Sequence, residues 1–218
     1  MKSKAFVFEG LDFTGKTTVS QYCFDKLKTL YGPDVVLYRS PGGTPLGEKV
    51  RDIARIEAKT VYEQTFAYLT GLSSVLEQVE KDLENGKIVL LDRWFQSLQA
   101  YQILQITDDS IRTALNTAAT LLANKVPVDY FLFEVNFETM EQRLKASTKN
   151  DTLDRFEASG VAYRKTIYDN YKYTFGQLRE NLSNSSVGIH LLNTDVMSID
   201  DCNMFTLQQI IHKVENTQ

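Results

Sequence analysis

Apolar runs alternate along the chain with stretches of helical periodicity. Strands are predicted where the runs are short and nearly continuous, at residues 5–9, 34–39, 87–92, 128–135 and 186–192. Helices are predicted where apolar residues recur every three or four positions, at 17–31, 45–56, 62–85, 110–124, 137–146, 154–181 and from 198 onward. Because strands and helices alternate, we predict an α/β fold whose five-stranded parallel sheet carries helices on both faces.

The composition is that of a globular protein. Of 218 residues, 43% are hydrophobic and 24% charged, and no linker or repeat divides them, so we expect one domain over residues 1–218. No apolar run approaches the roughly 20 residues needed to cross a bilayer. Glu9 interrupts the apolar stretch near the N-terminus, so we expect a cytoplasmic protein with no membrane partner. The net charge of −4 provides no basic field for nucleic acid.

Cysteine and histidine offer little catalytic chemistry. Cys23 and Cys202 lie far apart and outside any metal-spaced cluster, which favours two buried thiols. His190 and His212, the two histidines of the chain, stand in an apolar run and in a predicted helix. A Ser-His-Asp triad and a zinc site are therefore disfavoured.

A phosphate-binding motif follows the first predicted strand. The segment GLDFTGKT, residues 10–17, matches G-x-x-x-x-G-K-[ST] and opens a predicted helix. Gly10 and Gly15 permit a backbone that points N–H groups at phosphate oxygens, Lys16 reaches the β- and γ-phosphates, and Thr17 ligates Mg²⁺. We predict a nucleotide-phosphate site formed by Gly10, Leu11, Asp12, Phe13, Thr14, Gly15, Lys16, Thr17 and Thr18.

Other features narrow the class of nucleotide-binding protein. A guanine-reading N-K-x-D motif is lacking, since Val126 and Pro127 follow Lys125 in ANKVPVD, and this counts against a small GTPase. Cationic segments follow the second, third and fourth strands and point to one rim of the sheet. That arrangement suits an enzyme that also neutralises a second phosphorylated substrate.

Four blocks, FEGLDFTGKTT, RSPGGTPLGEKVR, DRWFQSLQAYQ and LDRFE, resemble in order and spacing the thymidylate kinase family, closest to its bacterial branch. The resemblance spans about residues 5 to 170. It implies a P-loop NTPase fold with a short lid, a homodimer, and ATP with Mg²⁺ as phosphoryl donor and cofactor. The implied reaction is phosphorylation of a deoxynucleoside monophosphate, dTMP or a related pyrimidine, to the diphosphate.

Matching the motifs assigns residue roles by resemblance. Asp12 lies near the acceptor sugar and the metal, and Arg93 clamps phosphate between donor and acceptor. Asp92 orients Arg93 or a metal-bound water, and Arg51 binds the acceptor phosphate. Purely structural roles remain as alternatives: a turn cap for Asp12, an ion pair for Asp92 and a solvated helix arginine for Arg51.

The acceptor side involves Ser97, Tyr101 and Gln102 of the third block. Tyr101 can pack against a deoxyribose where a ribose 2′-hydroxyl would clash, or it is simply a core aromatic. For the base, Tyr68, rather than Phe66, supplies a stacking ring.

The lid is expected at about residues 143–153. One branch of the family carries an arginine within the P-loop, where this chain has Phe13 and Thr14, so a lid cation is expected instead. The candidates for that catalytic cation are Arg143, which would also contact the nucleotide, Lys145 and Lys149. Following the lid, Arg155 and Glu157 match positions with adenine-side contacts and with sugar or metal contacts.

The base-reading positions depart from the family. Leu72 stands four residues after Tyr68, where the family has an arginine, and Leu98 replaces a small polar residue. A pocket with fewer hydrogen-bonding groups discriminates less between bases. We therefore hypothesise an altered or relaxed base choice.

Two alternatives stay open at the level of the sequence. A deoxynucleoside kinase would need a carboxylate base after the second strand, where this chain has Arg39, Ser40 and Pro41. A non-catalytic nucleotide-binding protein would not need Lys16, Thr17 and Arg93 together.

Overall fold

The computed structural model describes residues 4–147, 156, 158–183, 185 and 187–216. Five strands pair in parallel in the order β2-β3-β1-β4-β5. Their bounds are β1 Ala5–Gly10, β2 Val35–Arg39, β3 Ile88–Asp92, β4 Val128–Glu134 and β5 Ile189–Asn193. The predicted α/β fold with a five-stranded parallel sheet is confirmed.

Eight α-helices connect and cover these strands within the described residues. They are α1 Lys16–Tyr31, α2 Pro45–Asp52, α3 Val61–Glu84, α4 Phe95–Tyr101, α5 Asp109–Ala123, α6 Phe137–Ala146, α7 Val161–Leu182 and α8 Ile199–Glu215. A π-helical turn, Ile53–Glu57, extends α2. Capping boxes fix the N-termini of two helices. Thr60 and Glu63 form the box of α3, and Ser198 and Asp201 form that of α8.

The sheet separates two apolar cores because alternate residues of a strand point to opposite faces. Ala5 and Val7 of β1 pack with residues of α3, α4, α5, α6 and α7. Phe6 and Phe8 pack on the other face with α1 and α8. The carboxyl ends of β1, β3 and β4 therefore meet at one rim, where Phe8 is in register with Asp92 and Gly10 with Phe133.

Two predicted boundaries were wrong, and one helix was missed. The helix expected over 154–181 begins at Val161, because Ser159 stands in a bend, Gly160 is the N-cap and glycine disfavours a helix interior. The strand expected from 186 begins at Ile189, because the Gly188 N–H donates to the Asp129 carboxylate at 2.6 Å instead of to a strand partner. The seven-residue helix α4, directly after β3, is too short to show a period in the sequence.

The predicted lid also needs correction. Residues 143–146 belong to α6, because the periodic pattern that predicted a helix there continues to Ala146. The start of the expected lid is thus helical, and the lid itself stays a prediction. Residues 148–153 of the expected lid lie outside the described residues.

Candidate nucleotide-binding site

The P-loop turns from β1 into α1 through backbone conformations that few side chains tolerate. Gly15 has φ 86°, in the left-handed region where glycine is favoured. A Cβ at Gly10 would lie 2.6 Å from the Phe133 carbonyl oxygen of β4. Phe13 also has a positive φ, 66°. This strained turn presents the N-terminus of α1 to the rim, as a phosphate-binding loop requires.

Lys16 lies folded against the loop. Its Nζ donates to the Leu11 carbonyl oxygen at 3.0 Å and lies 3.5 Å from Asp12 Oδ1. Thr14 Oγ1 donates to the same carbonyl oxygen at 2.9 Å. Burial and repulsion by Arg93 lower the pKa of Lys16. Phosphate oxygens would relieve both effects, because they supply a negative partner at this ammonium.

Thr17 and Asp92 form a pair suited to a divalent cation. Thr17 Oγ1 donates to Asp92 Oδ2 at 2.8 Å. Asp92 is only 2% exposed, and within the described part of the chain its Oδ1 has no hydrogen-bond partner. Hydroxyl and carboxylate oxygens are ligands that Mg²⁺ prefers, and Mg²⁺ takes its remaining ligands from phosphate and water. The orphaned oxygen thus fits a metal between this pair and a nucleotide.

Asp12 and Arg93 join the P-loop to the start of the third block. Arg93 Nη2 donates to Asp12 Oδ1, and Tyr101 OH donates to Asp12 Oδ2 at 2.7 Å. Burial opposes ionisation of Asp12, but Arg93 and Lys16 outweigh burial and hold the pKa of Asp12 well below its usual range. Burial and the Asp12 charge raise the pKa of Tyr101. Asp12 is therefore a carboxylate and Tyr101 a phenol at neutral pH.

Several neighbours hold the Arg93 side chain in one position. Its Nη1 donates to the Gly10 carbonyl oxygen at 3.2 Å, to Ser97 Oγ at 3.1 Å and to Tyr171 OH at 3.0 Å. Arg93 also has φ 74°, a conformation that a non-glycine residue adopts only when its surroundings enforce it. A half-buried guanidinium, held at the strand ends on a strained backbone, suits the phosphate clamp that the sequence predicts.

Glu9 is an organising residue that the sequence reasoning missed. Its buried carboxylate accepts hydrogen bonds from the N–H groups of Trp94 and Ser97 at 2.7 and 2.9 Å, from Ser97 Oγ at 2.9 Å and from the Gly10 N–H at 3.2 Å. Burial raises the pKa of Glu9, and Arg93 partly offsets it. Glu9 fixes the start of α4 and hence the direction of Arg93. An acidic residue inside the apolar run AFVFE was the available signal.

A cavity of about 620 Å³ opens beside this cluster and is the candidate acceptor site. Every acceptor-side residue predicted from the sequence lines it, except Glu157, which lies outside the described residues. Those that line it are Asp12, Arg51, Tyr68, Leu72, Arg93, Ser97, Leu98, Tyr101 and Gln102. The prediction missed further lining residues, among them Gln64, Asp52, Arg55, Phe156 and Tyr163. Phe156 lies within the fourth block and Asp52 directly follows the second, so the blocks themselves were the available signal for these two. Gln64, Arg55 and Tyr163 lie outside the four blocks, so motif spacing gave no signal for them.

The apolar base-side residues are placed as expected. Leu72 is 3% exposed and Leu98 is 2% exposed, and both belong to the core cluster of α3 and α4. Gly71 precedes Leu72 on α3, and a Cβ there would lie 2.7 Å from the Pro41 side chain. The loop after β2 therefore approaches α3 very closely next to Leu72, so the wall at this point is closely packed.

The lid cations are only partly described. Arg143 lies on α6, and its guanidinium donates to the Phe13 carbonyl oxygen at 3.0 Å and to the Thr194 carbonyl oxygen at 2.6 Å. Arg143 thus links the P-loop to the residue that follows β5. Lys145 is exposed on the same helix. Lys149, Arg155 and Glu157 lie outside the described residues, so their roles stay predictions.

The separate donor loop and acceptor cavity, bridged by Asp12 and Arg93, define a P-loop nucleotide kinase that binds two phosphorylated substrates. The thymidylate kinase family model matches residues 8–182. The chain belongs to the thymidylate kinase family, and it is a nucleoside monophosphate kinase that transfers phosphate. Members of this family use ATP as the phosphoryl donor. Membership of this family rejects the two alternatives, a deoxynucleoside kinase and a non-catalytic nucleotide-binding protein.

Individual relatives agree with this assignment. A thymidylate kinase of Exiguobacterium sp. is 33% identical over 189 residues, covering 84% of this chain and 85% of that protein. A thymidylate kinase of Rickettsia peacockii is 29% identical over 182 residues, covering 83% and 87%. A crystal structure of thymidylate kinase from Ehrlichia chaffeensis matches 97% of this chain and all of that one, with a TM-score of 0.67 at 23% identity, and confirms the fold. No helix among the described residues is long and apolar enough to span a membrane.

Proposed function

We propose that this protein phosphorylates dTMP to dTDP with ATP as donor and Mg²⁺ as cofactor. The observation that carries the proposal is the bridge between the two sites, in which Asp12 contacts Lys16 on the donor side and Arg93 and Tyr101 on the acceptor side. Membership of the thymidylate kinase family supports dTMP as the acceptor. A homodimer, a cytoplasmic location and the absence of nucleic-acid binding stay predictions.

The proposed reaction is a direct in-line transfer. An oxygen of the acceptor 5′-phosphate bonds to the γ-phosphorus of ATP while the bond to the β-bridging oxygen breaks, and ADP leaves. The acceptor oxygen is already anionic, so no strong general base is needed. Catalysis then consists of positioning and charge neutralisation. Lys16 and Arg93 supply fixed positive charge on the two sides of the transferred group.

The other residues hold the reactants. Thr17 and Asp92 would hold Mg²⁺, which neutralises phosphate charge when bound. Arg51, whose guanidinium lies 3.4 Å from Glu48, lines the acceptor cavity and is proposed to bind the 5′-phosphate. Tyr101, fixed by Asp12, is proposed to exclude a 2′-hydroxyl. Ser97 and Glu9 hold Arg93 and α4 in place.

Replacing the P-loop lysine tests the proposal. Lys16→Ala should lower kcat for ADP formation from ATP and dTMP by on the order of a thousandfold, because the γ-phosphoryl loses its fixed cation. Lys26→Ala, at an exposed position of the same helix, is the matched control and should stay near full activity. Circular dichroism should show both variants folded. Near-full activity of Lys16→Ala, or inactivity of the unmodified protein with dTMP, would overturn the assignment.

A further inference from the structure

Two helices contribute the same kinds of residue to the lining of the acceptor cavity. Gln64, Tyr68 and Leu72 recur every four positions on α3, so they share one face of the helix. Leu98 lies on α4, and Gln102 follows its last residue. All five line the cavity. The cavity therefore combines one stacking ring, two leucines and two amides.

Both glutamines are largely buried residues whose amides stay accessible. Gln64 and Gln102 are each 8% exposed and line the cavity, and neither amide is among the fully buried, unpaired polar groups of the described residues. Ser40, another lining residue, is 5% exposed, and its buried hydroxyl is unpaired within the described part of the chain. A buried polar group left unpaired costs about 1–3 kcal/mol. The lining thus offers two accessible amides and one buried, unpaired hydroxyl as hydrogen-bonding groups for a ligand.

These three groups share a chemical property: each can both donate and accept a hydrogen bond. Thymine presents a carbonyl at C4 and an N–H at N3, whereas cytosine presents an amino group at C4 and a bare N3. A terminal amide bonds to either edge, because half a turn about its last bond exchanges its oxygen and nitrogen. Strong rejection of a substrate requires that it leave a buried polar group unpaired, and an amide or hydroxyl avoids this with both bases.

The cavity is also lined by side chains of fixed polarity, among them Arg39 and Arg51. Arg93 and Asp12 bond to each other beside the P-loop. Asp52 and Arg55 are exposed, on α2 and on the π-helical turn after it. The Trp94 indole N–H, buried and unpaired in the described structure, only donates.

We propose that Gln64 and Gln102 read the acceptor base, and that the site phosphorylates dCMP as well as dTMP. The inference rests on the proposed function, because the transfer is the same: the γ-phosphoryl group moves from ATP to a 5′-phosphate oxygen and ADP leaves. Gln64 becomes a specificity-determining residue. The terminal amides of Gln64 and Gln102 rotate to match the hydrogen-bonding edge of the base, while Tyr68 and the two leucines contact its ring.

Steady-state turnover with each acceptor tests the inference. The values of kcat/KM for dCMP and dTMP should agree within about tenfold, because neutral hydrogen bonds that both bases satisfy differ little in strength. A preference for dTMP above about a hundredfold would overturn the inference while leaving the proposed function intact. Failure of both acceptors would instead remove the proposed function.

Length-preserving variants locate the base-reading groups. Gln64→Met and Gln102→Met should each raise KM for both acceptors by roughly tenfold, with a smaller change in kcat, because a binding hydrogen bond is lost. Gln99→Met is the matched control: it lies on α4, donates to Asn116 Oδ1 of α5 at 2.9 Å and does not line the cavity. Its KM values should not change. Unchanged KM values for Gln64→Met and Gln102→Met would contradict the proposed base contacts.

A change of polarity provides a readout that a structural role would not move. Gln64→Lys places a group that only donates in the wall, so the ratio of kcat/KM for dCMP to that for dTMP should change at least tenfold. The ratio falls if residue 64 faces C4, where the amino group of cytosine cannot accept, and rises if it faces N3, where the lone pair of cytosine can. An equal loss with both acceptors would argue that Gln64 does not read the base. Thermal unfolding and ATP binding check that each variant folds, and the Met variants decide the question if the lysine is not tolerated.

Discussion

At the scale of single residues, the active site is held by Arg93. Its N–H donates to the Phe8 carbonyl oxygen at 3.0 Å while its side chain bonds to Gly10, Asp12, Ser97 and Tyr171. Burial alone would lower the pKa of Arg93, but Asp12 raises it well above its usual value, so the guanidinium remains charged. These contacts fix one cation beside Asp12 at the edge of the acceptor cavity, which is the place that the proposed phosphate clamp requires.

Arg93→Lys should lower kcat with dTMP by on the order of a hundredfold, because a lysine ammonium cannot keep the protein contacts and also bridge two phosphate groups. Arg179→Lys, at an exposed position of α7, is the control for the same chemical change and should retain activity. The measurement is the initial rate of ADP formation at saturating ATP. A rise in KM alone, with kcat preserved, would argue against a role at the transferred phosphate.

At the scale of secondary-structure elements, α6 and α7 are joined by a buried ion pair. Arg164 Nη2 donates to Glu141 Oε2 at 2.7 Å, and Arg164 Nη1 donates to the Ser159 carbonyl oxygen. Glu141 is 8% and Arg164 is 7% exposed. Hydrogen bonds to Arg164 lower the pKa of Glu141. The pair ties together the two helices between which the expected lid lies in the sequence.

Glu141→Gln should lower the free energy of unfolding by about 3 kcal/mol, because it leaves a buried guanidinium without its counter-charge. The double variant Glu141→Leu/Arg164→Met should lose much less free energy of unfolding than the sum of the losses of Glu141→Leu and Arg164→Met. A double-mutant cycle measured by urea unfolding would show this. The exposed pair Lys165–Asp169 of α7 is the control, and Asp169→Asn should cost less than about 1 kcal/mol. Strictly additive losses would mean that the pair does not couple the helices.

At the scale of the whole molecule, the central sheet shields a core between itself, α1 and α8. Cys23 and Cys202 both lie in that core and are at most 1% exposed. Burial raises the pKa of the Cys23 thiol to about 12 and also raises that of Cys202. The thiolate is the reactive form, so both groups are protected by access and by protonation.

A thiol reagent at pH 8 should therefore label both cysteines only through unfolding. The labelling rate should rise with urea in parallel with the loss of far-ultraviolet circular dichroism. Denatured protein is the positive control and should react with both thiols at once. Fast labelling of the native protein would show that the core between the sheet and α1 or α8 opens locally.

The sequence by itself determined the local features of this protein. The run AFVFE, the motif GLDFTGKTT and the helix period after it each depend on residues that lie next to one another. The α/β alternation, the P-loop and most helix bounds followed from such neighbours. The four blocks also identified the family, because their order is a property of the chain itself.

The tertiary structure decided what depends on distant partners. Glu9 meets Ser97 across 88 positions, and Arg143 reaches Phe13 across 130, so no spacing rule predicts either contact. Gln64 acquires significance only because α3 and α4 both contribute residues to the lining of one cavity. Burial without a partner is a property of the folded chain: packing removes water from a side chain, and only the fold determines what replaces it.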